Sequence, residues 1–323
     1  MDIPLIDISG FEFPDSREKD HVVRQWRDAL DTLGFLAIHG HGIPETLTSK
    51  VQAAGREFFE QPADRKLPYM IADVKQRGPT GYIPLKGEAV GRAGGVGGLP
   101  DLSESLTFGQ PALGRNAGET NPSDENIWPD RPAHFRDLVE LYSDRAYALG
   151  LRLMRISALA LGLEEDHFSP FYSPMLHRLR FAYYPDQPED PEPGQLRNAA
   201  HTDFAGFTIL LQDDAPGGLQ VQSPAGEWID VPARPGTLII NTGDLIQRWT
   251  NDRWISNVHR VVNPPRDQKG STSRLSLVFF TGPSMDSEIA CIPSCCVSEP
   301  PRYAPIRAGD HVQAKIALTY GVA

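Results

Sequence analysis

A chain of 323 residues with 40% hydrophobic and 23% charged positions has the composition of an ordinary folded protein, with ample length to bury a core. Its formal charge of −11 argues against nucleic acid or an anionic membrane as the main partner, since both call for basic patches. No stretch reaches the roughly 18 apolar residues of a membrane helix, and MDIPLIDISGF lacks the basic-then-apolar pattern of a secretion signal, so a cytoplasmic protein is expected.

Residues 15–33, DSREKDHVVRQWRDALDTL, open with an Asp15…Glu18 spacing that suits a capping box. Val22, Trp26, Leu30 and Leu33 then share one helical face, and Gly34 ends the helix. FLAI at 35–38 reads as a short strand. Residues 45–60 form a second helix with Leu47, Val51, Phe58 and Phe59 apolar. From 71 to 130 the composition loosens, and GRAGGVGGLP (91–100) and NPSDENIWPDRP (121–132) read as long surface loops. The glycine-rich stretch lacks the G-K-[ST] ending of a phosphate loop, and a mobile flap is the expectation for it. A long helix follows over about 132–162, with Phe135, Leu138, Tyr142, Leu149, Leu153 and Ile156 at helical spacing.

After residue 175 the texture changes. HRLRFAYYP, FTILLQ, GLQVQSPAGEWIDV, RPGTLIINTGD, NVHRVVNPP and RLSLVFFTGP are short strand-like runs split by Gly, Pro, Asn and Asp, the pattern of an antiparallel sandwich or barrel. AGDHVQAKIALTY reads as a closing helix. The expected class is mainly β with flanking helices (α+β): a helical N-terminal region, a β-core and a C-terminal helix. All three cysteines lie in CIPSCC (Cys291, Cys295 and Cys296), which is no disulfide framework and contains no C-x-x-C, so reduced, structurally minor thiols are expected.

Chemistry concentrates in the β-half. His201 and Asp203 stand two apart at the head of an apolar run, AAHTDFAGFTILL. Alone the pair says little, because roughly one H-x-D/E match is expected by chance in a chain of this composition. On a strand the two would project to one face, about 7 Å apart. A third donor, His259, sits inside another strand-like run, NVHRVV. Two imidazoles and one carboxylate on one side of an ion leave the opposite positions open, the pattern of non-haem Fe(II) oxygenases. In RLSLVFF, Arg274 and Ser276 share a strand face and make a carboxylate receptor, since guanidinium binds a carboxylate with two parallel charge-assisted bonds. An arginine buried in a β-core is costly unless an anion pairs with it.

In that order, H-T-D, NTGDLIQRWTNDRWISNVHRV and R-L-S resemble the iron- and 2-oxoglutarate-dependent dioxygenases of the isopenicillin N synthase-like family. The resemblance covers nearly the whole chain, through IPLIDISGF, LGFLAIHGHGIPE, FFEQPADRKLPY, NIWPD and LRFAYYP. It implies a double-stranded β-helix (jelly-roll) core at 175–285, an N-terminal mixed region at 1–130, a supporting helix at 131–174 and a C-terminal extension at 286–323, all one structural unit. It further implies that His201, Asp203 and His259 ligate Fe(II), and that Arg274 and Ser276 hold the distal carboxylate of 2-oxoglutarate. Tyr184 matches the family's N-x-Y pattern beside the co-substrate, whereas Ala182 stands where that pattern has Asn. O₂ is the second co-substrate, and a small organic molecule is hydroxylated or desaturated with release of succinate and CO₂. An intact Asp203 favours these outcomes over halogenation, for which the related halogenases replace the carboxylate by a small residue. A second reading is an oxidase of the same family that uses no 2-oxoglutarate and holds a substrate carboxylate with Arg274 and Ser276.

Three further positions carry lesser expectations. Arg180 shares the Ala182–Tyr184 face and suits either a substrate carboxylate or a structural salt bridge. Phe280 lies on the Arg274–Ser276 face and suits either substrate contact or core packing. His39 and His41 also have one-face spacing, but their context in IHGHGIP is a structural turn.

Overall fold

The longest core strands explain the architecture by their alternation. In LHRLRFAYY (β5, Leu176–Tyr184), Leu179, Phe181 and Tyr183 join a large apolar cluster on one side of the sheet. Ala182 and Tyr184 join a smaller cluster on the other side. RLSLVFFTG (β12, Arg274–Gly282) follows the same rule, with Leu275, Leu277 and Phe279 in the large cluster. Its Arg274, Ser276, Val278 and Phe280 line a cavity instead. A one-residue slip would exchange these faces, so the burial pattern itself holds the register.

The structure is a computed structural model describing residues 2–13, 17–71, 80–92, 98–109, 126–187 and 189–320. Its main sheet has eight strands in the order β1-β2-β10-β7-β12-β5-β4-β3. These are β1 (Leu5–Asp7), β2 (Phe35–His39), β3 (Gly81–Ile83), β4 (Glu104–Gly109), β5, β7 (Phe207–Gln212), β10 (Leu238–Thr242) and β12. A second sheet, in the order β6-β11-β8-β9, contains β6 (Asn198–His201), β8 (Leu219–Gln222), β9 (Trp228–Asp230) and β11 (His259–Val261). The two sheets form the jelly-roll core, and β13 (Glu288–Ile289) pairs with β14 (Ile306–Arg307) beyond it. The small cluster of Phe35, Leu210, Leu219, Val261 and their neighbours lies between the sheets.

The helices back the outer face. α1 (Arg17–Thr32) buries Val22, Trp26 and Leu30 as expected, and Gly34 at φ 66° ends it in the left-handed conformation glycine adopts without cost. Asp15 of the expected cap lies outside the described residues. α2 (Glu45–Phe59) is followed by the short α3 (Ala63–Lys66) and by α4 (Phe135–Ala160), which runs behind the sheet. The indole of Trp26 donates to Ser157 Oγ at 3.0 Å and ties α1 to α4. α5 (Asp244–Trp249) and the closing α6 (Ala308–Tyr320) stand near the cavity. Among the described residues, no helix is long and apolar enough to cross a membrane.

Three expectations need correction. Residues 71–130 are not only loop, because β3 and β4 lie within them and extend the sheet beyond β5. Glu104 disguised β4, since its carboxylate is buried against the Lys66 ammonium at 2.7 Å and the Tyr82 hydroxyl rather than facing solvent. His201 and Asp203 do not open a common strand; His201 ends β6 and Asp203 lies in the turn before β7. The three cysteines are not all free. A 3-10 turn at Pro293–Cys295 folds the chain back, and Cys291 and Cys296 are joined as a disulfide with Cα atoms 6.7 Å apart. Cys295 remains a thiol.

Candidate metal centre and its pocket

Strand pairing brings the distant histidines together. His259, the first residue of β11, is the register partner of His201, the last of β6, and their rings lie 4.3 Å apart. Each ring points its Nδ1 at a backbone carbonyl two residues back: His201 at Ala199 O, 2.8 Å, and His259 at Asn257 O, 3.1 Å. That contact fixes the tautomer and turns Nε2 to the other side. Burial, reinforced by the neighbouring His259, pushes the His201 imidazole down to about 4, so it is neutral and competent as a ligand near neutral pH.

Asp203 is held from behind. Thr208 Oγ1 on β7 and Asn241 Nδ2 on β10 both donate to its Oδ2 at 2.6 Å. Its Oδ1 lies 3.8 Å from His259 Nε2. The turn itself is pinned by α5, whose first backbone N–H groups donate to Asp203 O (2.8 Å) and Ala205 O (3.1 Å). Gly243 precedes them and donates to Gly206 O at 2.7 Å; a Cβ there would press on the carbonyl oxygens of Ala205 and Gly206, so the close approach requires glycine. One donor atom from each of His201, Asp203 and His259 falls within 4.8 Å of the others, and this group could hold one metal ion.

The same cavity continues to Arg274 and Ser276. Both are buried, and Arg274 Nη1 donates to Ser276 Oγ while Nη2 donates to Gln212 Oε1 at 2.8 Å. The guanidinium stands 5.4 Å from the centre of the Tyr184 ring, and Ala182 lines the cavity next to it. Among the described residues no carboxylate is hydrogen-bonded to Arg274, which leaves a buried cation suited to an incoming anion. A second buried arginine, Arg197, lies 5.9 Å from the same tyrosine ring and holds the carbonyls of Pro216 (2.7 Å), Gly217 (3.2 Å) and Thr272.

Past the metal group the cavity is walled by β4, β5, β12 and α6. Arg180 takes its structural alternative: its Nη1 donates to Glu88 Oε1 at 3.1 Å, and Nη2 to Oε2 of the same carboxylate. Phe280 belongs to neither apolar cluster and faces the cavity. α6 contributes Val312, Ile316 and Thr319. It is latched to the metal turn through Asp244, whose carboxylate accepts from Lys315 Nζ at 2.7 Å and lies 3.6 Å from His311 Nε2. His39 ends β2, and His41 lies in the turn that follows, where its Nδ1 accepts from Ile43 N at 3.1 Å. Residues 93–97 of the expected flap lie outside the described residues.

Sequence reasoning did not single out Thr208, Gln212, Asn241, Arg197, Glu88 or Asp244. For the first three a signal existed, since alternation along β7 and β10 places them on the same side as the cavity. The others become visible only when distant segments meet.

Residues 176–283 match the 2OG-Fe(II) oxygenase superfamily, and residues 3–131 match the family described as non-haem dioxygenase in morphine synthesis N-terminal. The chain is 33% identical to 2-oxoglutarate-Fe(II) type oxidoreductase hxnY of Emericella nidulans, over 98% of this chain and 90% of that one. It is 30% identical to homoarginine-6-hydroxylase 2-ODD-233 of Oryza sativa subsp. japonica, over 98% and 97%. A full-length Neurospora crassa protein, crystallised in complex with alpha-KG and thymine, superposes with a TM-score of 0.84 at 30% identity, over 98% of this chain and 96% of that one.

Proposed function

Since the chain belongs to the iron(II)- and 2-oxoglutarate-dependent oxygenases, we propose that His201, Asp203 and His259 hold the iron and that Arg274 and Ser276 receive the distal carboxylate of 2-oxoglutarate, with Tyr184 beside them. The protein is a non-haem iron dioxygenase that oxidises its substrate with release of succinate and CO₂. The observation that carries the site assignment is the group of three donor atoms within 4.8 Å in the cavity that also contains the buried Arg274–Ser276 pair.

Bound iron supplies the activation of O₂, coupled to decarboxylation of 2-oxoglutarate. The residues of the chain supply everything around it. His201 and His259 offer ring nitrogens held in orientation by backbone carbonyls, and Asp203 offers the one oxygen its partners leave unbonded. Arg274 and Ser276 set the reach of the co-substrate by fixing its far end, and Tyr184 supports the guanidinium with its ring face. Phe280, Val312 and Ile316 pack the substrate and exclude water. Arg180 acts as scaffold, and the stretches 1–130, 131–174, 175–285 and 286–323 work as one unit around a small organic substrate. A cytoplasmic location suits this chemistry. The oxidase alternative is not favoured, because structural neighbours contain bound 2-oxoglutarate.

Anaerobic addition of Fe(II) and then 2-oxoglutarate to metal-free protein tests the assignment by visible absorption. A weak charge-transfer band requiring both additions is expected, and Asp203→Ala should abolish it. Tight iron binding with no band on adding 2-oxoglutarate would mean that Arg274 and Ser276 serve another carboxylate.

A further inference from the structure

Three buried polar atoms of the cavity lining, Thr107 Oγ1, Asn198 Oδ1 and Arg178 Nη1, make no hydrogen bond among the described residues. Thr107 on β4 is the register partner of Arg180 on β5, so both side chains leave the sheet on the cavity side. Thr107 is 3% exposed, yet its hydroxyl has no hydrogen-bond partner among the described residues. Across the cavity on β6, Asn198 Oδ1 is likewise buried and without a partner among the described residues. Native proteins seldom leave such atoms unpaired, because each forfeits its bonds to water.

The charged groups of this wall are already engaged. Both Nη atoms of Arg180 donate to the two oxygens of Glu88, whose side chain is 3% exposed. Arg178, the other arginine of the wall, is not free either. A carboxylate would have only Arg178 Nη1, on a guanidinium that already has another partner, to receive it, and a cationic substrate would have to part Glu88 from Arg180 and leave a buried charge behind. The apolar lining residues Phe204, Phe280, Val312 and Ile316 give a polar atom nothing to bond to.

We propose that the substrate is an uncharged molecule with an N–H or O–H on one edge, recognised by Asn198 Oδ1 and the Thr107 hydroxyl, and with an apolar body seated on Phe280 and Ile316. The amide oxygen can only accept, so the substrate must donate to it, whereas the hydroxyl can give or take. Lactams, ring N–H heterocycles and hydroxylated rings fit this description; carboxylates and amines do not. The inference rests on the iron and 2-oxoglutarate reading only for the chemistry that follows binding.

The test is calorimetric titration of the Fe(II)- and 2-oxoglutarate-loaded protein with four matched probes: 2-piperidone, cyclohexanol, methylcyclohexane and cyclohexanecarboxylate, with the charge-transfer band followed in parallel. The lactam and the alcohol should bind at millimolar concentrations and perturb the band, with the hydrocarbon and the carboxylate at least about tenfold weaker. Thr107→Val, which removes the hydroxyl at nearly constant volume, should weaken the lactam about tenfold and leave the hydrocarbon unchanged, and Thr107→Ser should restore it. A carboxylate that binds as tightly as the lactam, a lactam indifferent to Thr107→Val, or no binding by either polar probe would overturn the proposal. Thr107-dependent heat without any charge-transfer band would leave this inference standing and count against the co-substrate assignment instead.

Discussion

One cavity joins two ends that are built differently. At the metal and co-substrate end, each side chain projects from a core strand or the turn beside one and is oriented by a short-range partner: Ala199 O for His201, Asn257 O for His259, Thr208 and Asn241 for Asp203, Gln212 for Arg274. At the substrate end the wall is assembled from segments far apart in the chain, and its links are ion pairs, Glu88–Arg180 and Asp244–Lys315. The first construction tolerates little displacement, because a sheet transmits register to every residue on its face. The second can change one wall without disturbing the other. Reaction chemistry is thus held by core strands and the turn beside them, and substrate choice by strands together with α6 and the Glu88 segment laid against them.

Substitutions should separate the two ends. Asp203→Ala has the largest expected effect: it removes the sole carboxylate of the metal group and should abolish succinate release, with iron content measured on the purified variant. Full turnover in that variant would break the comparison at its strongest point. Arg274→Met should weaken 2-oxoglutarate binding by roughly 2–4 kcal/mol, because a carboxylate then enters without its charged partner. Titration of the charge-transfer band measures this, and the iron affinity should be unaltered. Asn241→Ala keeps all three ligands but removes one of two donors to Asp203 Oδ2. Its iron affinity should fall by about tenfold to a hundredfold, the usual scale for partners that orient a ligand. An unchanged affinity would mean that Thr208 alone orients the carboxylate.

How much of this was legible beforehand follows the same division. His201, Asp203, His259, Arg274 and Ser276 could be singled out because their residue types and order suit a metal and a carboxylate-bearing co-substrate and match the family resemblance. Strand alternation was enough to put Arg274, Ser276 and Phe280 on one face, and the structure agrees. The local route to the metal group was misjudged, since period-two alternation treats H-T-D as strand, whereas a turn pinned by α5 carries Asp203. β4 escaped notice because a buried Glu104 with a distant Lys66 looks, in one dimension, like a solvated loop residue. Arg180 was undecidable for a similar reason: its partner Glu88 lies in a segment with no periodic signal. Buried ion pairs are satisfied by residues far away in sequence, and local pattern contains no trace of them.

The smallest effect should come from the latch on α6. Lys315→Met removes the ammonium from a partly buried pair with Asp244, worth about 1 kcal/mol at such exposure. Because α6 lines only the substrate end, 2-oxoglutarate affinity should stay the same while amide exchange over 308–320 accelerates a fewfold, roughly as the lost free energy dictates. Burial acts to raise the Asp244 carboxyl, but the neighbouring His311 ring and the Lys315 ammonium outweigh it and hold it at about 2, below its ordinary 3.8. A depressed carboxyl contributes stability that is complete above its unfolded value and drains away as pH falls towards the folded one. The latch therefore stays shut at pH 5 and should open only below about pH 4. In Lys315→Met that margin shrinks, so the acid unfolding midpoint, followed by circular dichroism, should move to higher pH. A midpoint that does not move would assign the latch to His311, and exchange over 203–206 rising together with 308–320 would show that α6 and the metal turn open as one piece.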